Sequence, residues 1–142
     1  MKKPILKIAL LTLSFLWSSQ RSHAQSTDQY KQAMDKWWQD YAACLKKMDA
    51  EPDDQKVIIT LQEMKGTIAT RHQKLVAELH EWKKTHDGKQ LDELETWTEA
   101  NPHEREVQEL SQSPKFLSRL GKNRAIGKAY RDFNLAMMKV NQ

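Results

Sequence analysis

Apolar side chains recur along this chain at steps of three and four, the spacing that keeps them on one face of an α-helix. The first such run is Tyr30, Met34, Trp37, Tyr41, Cys44/Leu45 and Met48. It follows "STDQ", where Ser26 and Gln29 have the spacing of a capping box. The pattern stops at "AEPDD": Pro52 disfavours helical backbone in the residue before it, and Asp53 or Asp54 suits the cap of the next start. A second stripe then steps from Val57, Leu61 and Met64 through Ile68, His72 and Leu75 to Trp82 and His86. It predicts one long helix over about 54–85, with Gly66 the place for a bend or break. "HDGK" reads as the turn that ends it, with Gly88 suited to a left-handed helix cap.

Shorter elements follow. Leu91, Leu94 and Trp97 predict one short helix within 89–100. Asn101 as cap, Pro102 at the first helical position and Glu104 at the third mark a clean restart, and Ser113–Pro114 repeats the signal. Phe116, Leu117 and Leu120 then make a short, turn-rich helix up to Gly121. Ile126, Tyr130, Phe133, Met137 and Val140 predict a final helix of about 123–140. No convincing alternation of period two and no internal repeat interrupts this reading. The expected fold is all-α: a small antiparallel helical bundle of three main helices plus one or two short ones, in a single domain over 25–142.

The stretch "DKWWQDYAAC" sharpens the first stripe. On a helical wheel with Tyr30 at the origin, Trp37 falls within about 20° of it, whereas Trp38 falls at about 80°, beside Met34 and Leu45. Trp37 therefore belongs to the core. Trp38 is the shoulder of one broad apolar face and the aromatic candidate for contact with a partner.

The first 24 residues read as an address rather than as part of this bundle. Lys2 and Lys3 precede a ten-residue apolar run, Ile8 to Trp17, and Ser22 and Ala24 stand three and one residues before a cut between Ala24 and Gln25. That is the layout of a secretory signal peptide. The run is shorter than the ~18 apolar residues of a membrane span, so the mature chain is expected to be periplasmic or secreted, with no transmembrane segment after cleavage. Removing the leader also changes the charge. The full chain is +4, and Lys2, Lys3, Lys7 and Arg21 supply all of it. The basic balance is thus no evidence for a nucleic acid partner. With few Gly and Pro and a single cysteine, Cys44, no internal disulfide can form, so the core must hold the fold by itself. Cys44 reads as a small buried hydrophobe, the other reading being an intermolecular disulfide.

Charge is uneven along the mature chain. Residues 87–109 carry eight acids and two bases, a net of −6, and residues 110–142 carry seven bases and one acid, a net of +6. The plain expectation is that these neighbours pack side by side and neutralise each other. The sharper one is that Lys122, Arg124, Lys128 and Arg131 present a basic face to an anionic partner or lipid surface.

Few constellations point to chemistry. The mature histidines, His72, His80, His86 and His103, are spaced by 8, 6 and 17 residues, not by the three or four that aim two ligands from one helix face, so no metal site is expected. His72 reads as a hydrogen-bonded, partly buried core residue. No CxxCH haem attachment occurs. "GKNRAIGK" resembles a phosphate-binding loop only loosely, since five residues separate its glycines and Ala129 stands where a hydroxyl belongs. Acidic pairs such as Glu93/Glu95 diverge on a helix. With no catalytic set and no cofactor implied, the expectation is a non-enzymatic, exported protein-binding module: an inhibitor, immunity-type protein, chaperone or envelope adaptor. The alternative is a carrier of a small apolar ligand or cofactor in a cavity within the bundle; a helical enzyme whose residues converge only in three dimensions is the third reading.

Overall fold

Ser26 and Gln29 form the capping box that their spacing implies: the Gln29 N–H donates to Ser26 Oγ, and the Ser26 N–H to Gln29 Oε1, both at 3.2 Å. They open α1, Thr27–Ala50, in a computed structural model that describes residues 26–139. The leader and Val140 lie outside the described residues. Glu51 turns extended, and Asp53 rather than Asp54 caps α2, Asp54–Gly66, its Oδ1 accepting from the Gln55 N–H at 2.8 Å. The remaining helices are α3 (Ile68–Lys83), α4 (Gly88–Glu99), α5 (Pro102–Ser111), α6 (Pro114–Lys122) and α7 (Arg124–Met138). Every regular element among the described residues is thus helical.

One open question about these elements is answered, and two expectations need correction. The break left open at Gly66 is present: the second stripe is two helices, α2 and α3, parting at Thr67, whose φ is −113° and ψ −71°. Side chains stabilise the break: Thr67 Oγ1 donates to Glu63 O at 3.0 Å, and Trp37 Nε1 of α1 donates to Ile68 O, just past it, at 2.9 Å. Gly88 is not a left-handed cap. No described glycine has a positive φ, and Gly88 is instead the first residue of α4, behind an Asp87–Gln90 capping box. Three short helices, not one or two, link α3 to α7, since Asn101–Pro102 and Ser113–Pro114 each restart the chain.

Hydrogen bonds and ion pairs between helices give the packing directions. α1 runs antiparallel to the α2–α3 track, with Thr27 bonded to Trp82, Trp37 to Ile68 and Arg71 to Asp40. The antiparallel expectation does not extend to the whole bundle. α7 runs parallel to α2–α3, since Asn123 meets Asp54 at one end and Gln73 meets Ala136 at the other. α5 runs parallel to α1, pairing Asn101 with Asp35 and Glu106 with Lys46. The core lies between α1, α2–α3 and α7, around Trp37, Leu61, Met64, Ile126 and Phe133. Burying side chains of this size is the main stabilising term.

The junction of α1, α2, α6 and α7 is tied by polar groups. Arg119 Nη1 donates to Met48 O at 3.1 Å and to Glu51 O at 2.6 Å, satisfying carbonyls at the end of α1. Its Nε donates to Asp54 Oδ1 at 2.9 Å, and Asn123 Nδ2 donates to Asp54 Oδ2 at 2.8 Å. These contacts overturn the plain reading of the charge layout. Among the described residues no ion pair joins 87–109 to the basic segment that follows it. Glu106 pairs with Lys46, and Lys115 and Arg119 pair with Asp49 and Asp54. No described helix is long and apolar enough to cross a membrane.

Candidate functional site

The outward side of α7 is the surface that packing leaves unexplained. Asn123 starts the helix, its Oδ1 accepting from the Ala125 and Ile126 N–H groups at 3.0 and 3.2 Å. Ile126, Ala129 and Phe133 turn inward and are buried. At the far end, carbonyls that α7 cannot satisfy internally are met by α3: Gln73 Nε2 donates to Ala136 O at 2.6 Å, and His72 Nδ1 donates to Met137 O at 3.1 Å. Both ends being held, the helix presents a defined stripe. Arg124, Lys128, Arg131, Leu135 and Met138 are spaced 4, 3, 4 and 3 residues apart and so share one side.

All five are exposed, Leu135 by 58% and Met138 by 67%, although most large apolar side chains are buried. The stripe is basic in its first half and apolar in its second. Lys128 Nζ lies 2.7 Å from Asp132 Oδ2, a hydrogen bond that holds the Asp132 carboxyl below its ordinary range. Arg124 and Arg131 enter no ion pair among the described residues, although the Arg131 charge adds to the lowering at Asp132. Beside the apolar half, His72, Val76, Asn134, Met137 and Met138 line an open groove of about 520 Å³. A second open groove, of about 500 Å³, lies between α1 and the α4–α5 junction, where Lys31 sits 5.6 Å over the Trp97 ring.

Of the side chains singled out in the sequence, Arg124, Lys128 and Arg131 come together on this face. Lys122, exposed at the end of α6, stands next to its start. Trp38 does not join them. It lies on the side of α1 that carries Asp35 and Lys46, both bonded to α5, and is half-buried with its Nε1 enclosed and without an acceptor among the described residues. Leu135 and Met138 are not among the site residues expected from the sequence, yet stepping on from Arg124, Lys128 and Arg131 by four and three reaches both.

His72 meets its expectation: half-buried, hydrogen-bonded, and with its ring 5.0 Å from that of Trp37. Burial lowers its pKa below the ordinary value, and the bond to Met137 O only partly offsets this. Cys44 is a free, half-buried thiol whose pKa burial raises. Among the described residues, no three His, Cys, Asp or Glu side chains are grouped to hold a metal ion. No protein-family model, curated protein or solved structure was found to match the chain.

Proposed function

We propose that this chain is an exported helical binding protein, freed of residues 1–24 and acting without catalysis, whose α7 face engages an acidic surface of a protein partner in the bacterial envelope. The observation that carries the reading is the α7 stripe: three exposed cations followed by Leu135 and Met138, 58% and 67% exposed, on a helix anchored at both ends. Arg and Met are enriched where proteins meet, and an apolar patch beside like charges gives both steering and burial. An inhibitor, immunity-type protein, chaperone or adaptor would use such a face alike. The carrier reading rests on the groove beside Val76, Met137 and Met138, but this groove is open on one side and would cover only part of an apolar ligand.

The test replaces Leu135 with a photo-crosslinking residue and irradiates intact cells. A discrete adduct that disappears when Arg124 and Arg131 are changed to Glu supports the reading. An adduct indifferent to those charges, or none, counts against it.

A further inference from the structure

The α7 face has a complement elsewhere on the same molecule. On α4, Asp92, Glu95 and Glu99 are exposed and spaced three and four residues apart, so they too form a stripe on one side. From Asp92 to Glu99 the stripe spans about 10 Å along the helix, and Arg124 to Arg131 spans the same length. Leu94 and Trp97, which attach α4 to the rest of the protein, lie on another side of that helix. None of Asp92, Glu95, Glu99, Arg124 or Arg131 enters an ion pair among the described residues.

A second observation, independent of the count of charges, concerns where they sit on their helices. Arg124 is the first residue of α7, whose first turn has no acid, so a cation faces the positive end of the helix dipole. Glu99 is the last residue of α4, whose last turn has no base, so an anion faces the negative end. Both placements are unfavourable within one chain. Laying α4 of one molecule antiparallel along α7 of another reverses both, because Glu99 then meets the start of α7 and Arg124 the end of α4. In the same register Glu95 faces Lys128 and Asp92 faces Arg131.

Building on the α7 face proposed above as a binding surface, we infer that its acidic occupant is α4 of a second copy of this chain. Each copy carries both stripes, so it can offer α7 and α4 at once to neighbouring copies. Exposed ion pairs are individually weak, and the association is therefore weak and sensitive to salt.

Sedimentation equilibrium of the purified protein tests this. The wild type is expected above monomer mass at ~0.01 M ionic strength, where the Debye length is ~30 Å, and monomeric at ~1 M, where it is ~3 Å. The variant R124E/R131E, with the outer cations of the α7 stripe made acidic, and the variant D92K/E99K, with the two α4 acids that face those positions made basic, are each expected to be monomeric. An equimolar mixture of the two should associate again. Both variants put the favourable charge at a helix end, so their melting temperatures should not fall, which separates loss of contact from loss of fold. A monomeric wild type at low ionic strength, or a mixture that stays monomeric, overturns the inference. So does binding of a monomeric wild type to anionic vesicles, which would assign the face to a membrane. If self-association fails while the charge-dependent adduct at Leu135 persists with a different protein, the proposed function stands without it.

Discussion

Two adjacent tryptophans have different fates because neighbouring helical residues point about 100° apart. Trp37 is 1% exposed, its ring 4.5 Å from that of Trp38 and 5.5 Å from that of Tyr41, and its indole N–H is bonded to Ile68 O. Trp38 is half-buried, and its indole N–H finds no acceptor among the described residues. An enclosed donor without a partner is unfavourable, so removing it recovers part of what the smaller ring loses. Replacement by phenylalanine should therefore separate the pair. Trp37→Phe is expected to cost about 2 kcal/mol, the sum of a hydrogen bond and lost ring contacts, and Trp38→Phe less than about 1 kcal/mol. Urea midpoints of the two variants decide it, and equal losses would mean that the two N–H groups are equally well satisfied. The wheel placed both rings correctly, since it needs only residue spacing. It could not tell that the shoulder beside Trp38 faces α5, which begins only at Pro102.

Among the elements, most starts were legible, as was the place of the interruption beside Gly66, whereas the start of α4 behind Asp87 was not. Ser26, Asp53, Asn101, Ser113 and Asn123 accept hydrogen bonds from N–H groups of the turn that follows, a local chemistry that a few residues encode. The break between α2 and α3 sits at Thr67 and is held by Trp37, 31 residues away, so its permanence depends on tertiary contact. Glycines divide in the same way. A Cβ on Gly66 would meet nothing within 4 Å, whereas one on Gly127 would lie 2.9 Å from Leu120 O, a backbone atom that cannot swing aside. The second glycine of "GKNRAIGK" thus serves the close approach of α6 to α7. Gly66→Ala should stabilise the protein by up to about 1 kcal/mol through helix propensity, and Gly127→Ala should destabilise it by about 1–3 kcal/mol through overpacking. Thermal or urea unfolding of both variants checks the pair; a large loss at Gly66 would mean that the break itself requires glycine.

At the scale of the molecule, apolar stripes say which side of a helix is buried but not against which helix, so the parallel course of α7 beside α2–α3 could not be read in advance. The same limit applies to charge. Neighbouring segments of net −6 and +6 invite mutual pairing, yet Lys115 and Arg119 reach back to Asp49 and Asp54, because α6 packs at the end of α1. The resulting set of groups predicts acid sensitivity in two stages. His72 titrates near 6.5 when unfolded and lower when folded, since burial disfavours its charged form. The unfolded chain therefore takes up the proton first, and stability present above pH 6.5 is lost as pH falls through the lowered value. The carboxylates act later. Hydrogen bonds from Asn123 and Arg119 hold Asp54 below its ordinary 3.8, and Lys46 holds Glu106 below its ordinary 4.5. At Asp40, burial pushes the pKa up, but Lys36 and Arg71 together outweigh it and leave the value below 3.8. Their contribution is present above those ordinary values and disappears as pH falls through the lowered ones. His72→Gln keeps a donor able to reach Met137 O and removes the titration. Urea midpoints taken in steps from about pH 7.5 to 3 should fall in two stages for the wild type and in the second alone for His72→Gln. An unchanged first stage in that variant would move the early loss to another group and dissociate it from the α3–α7 contact.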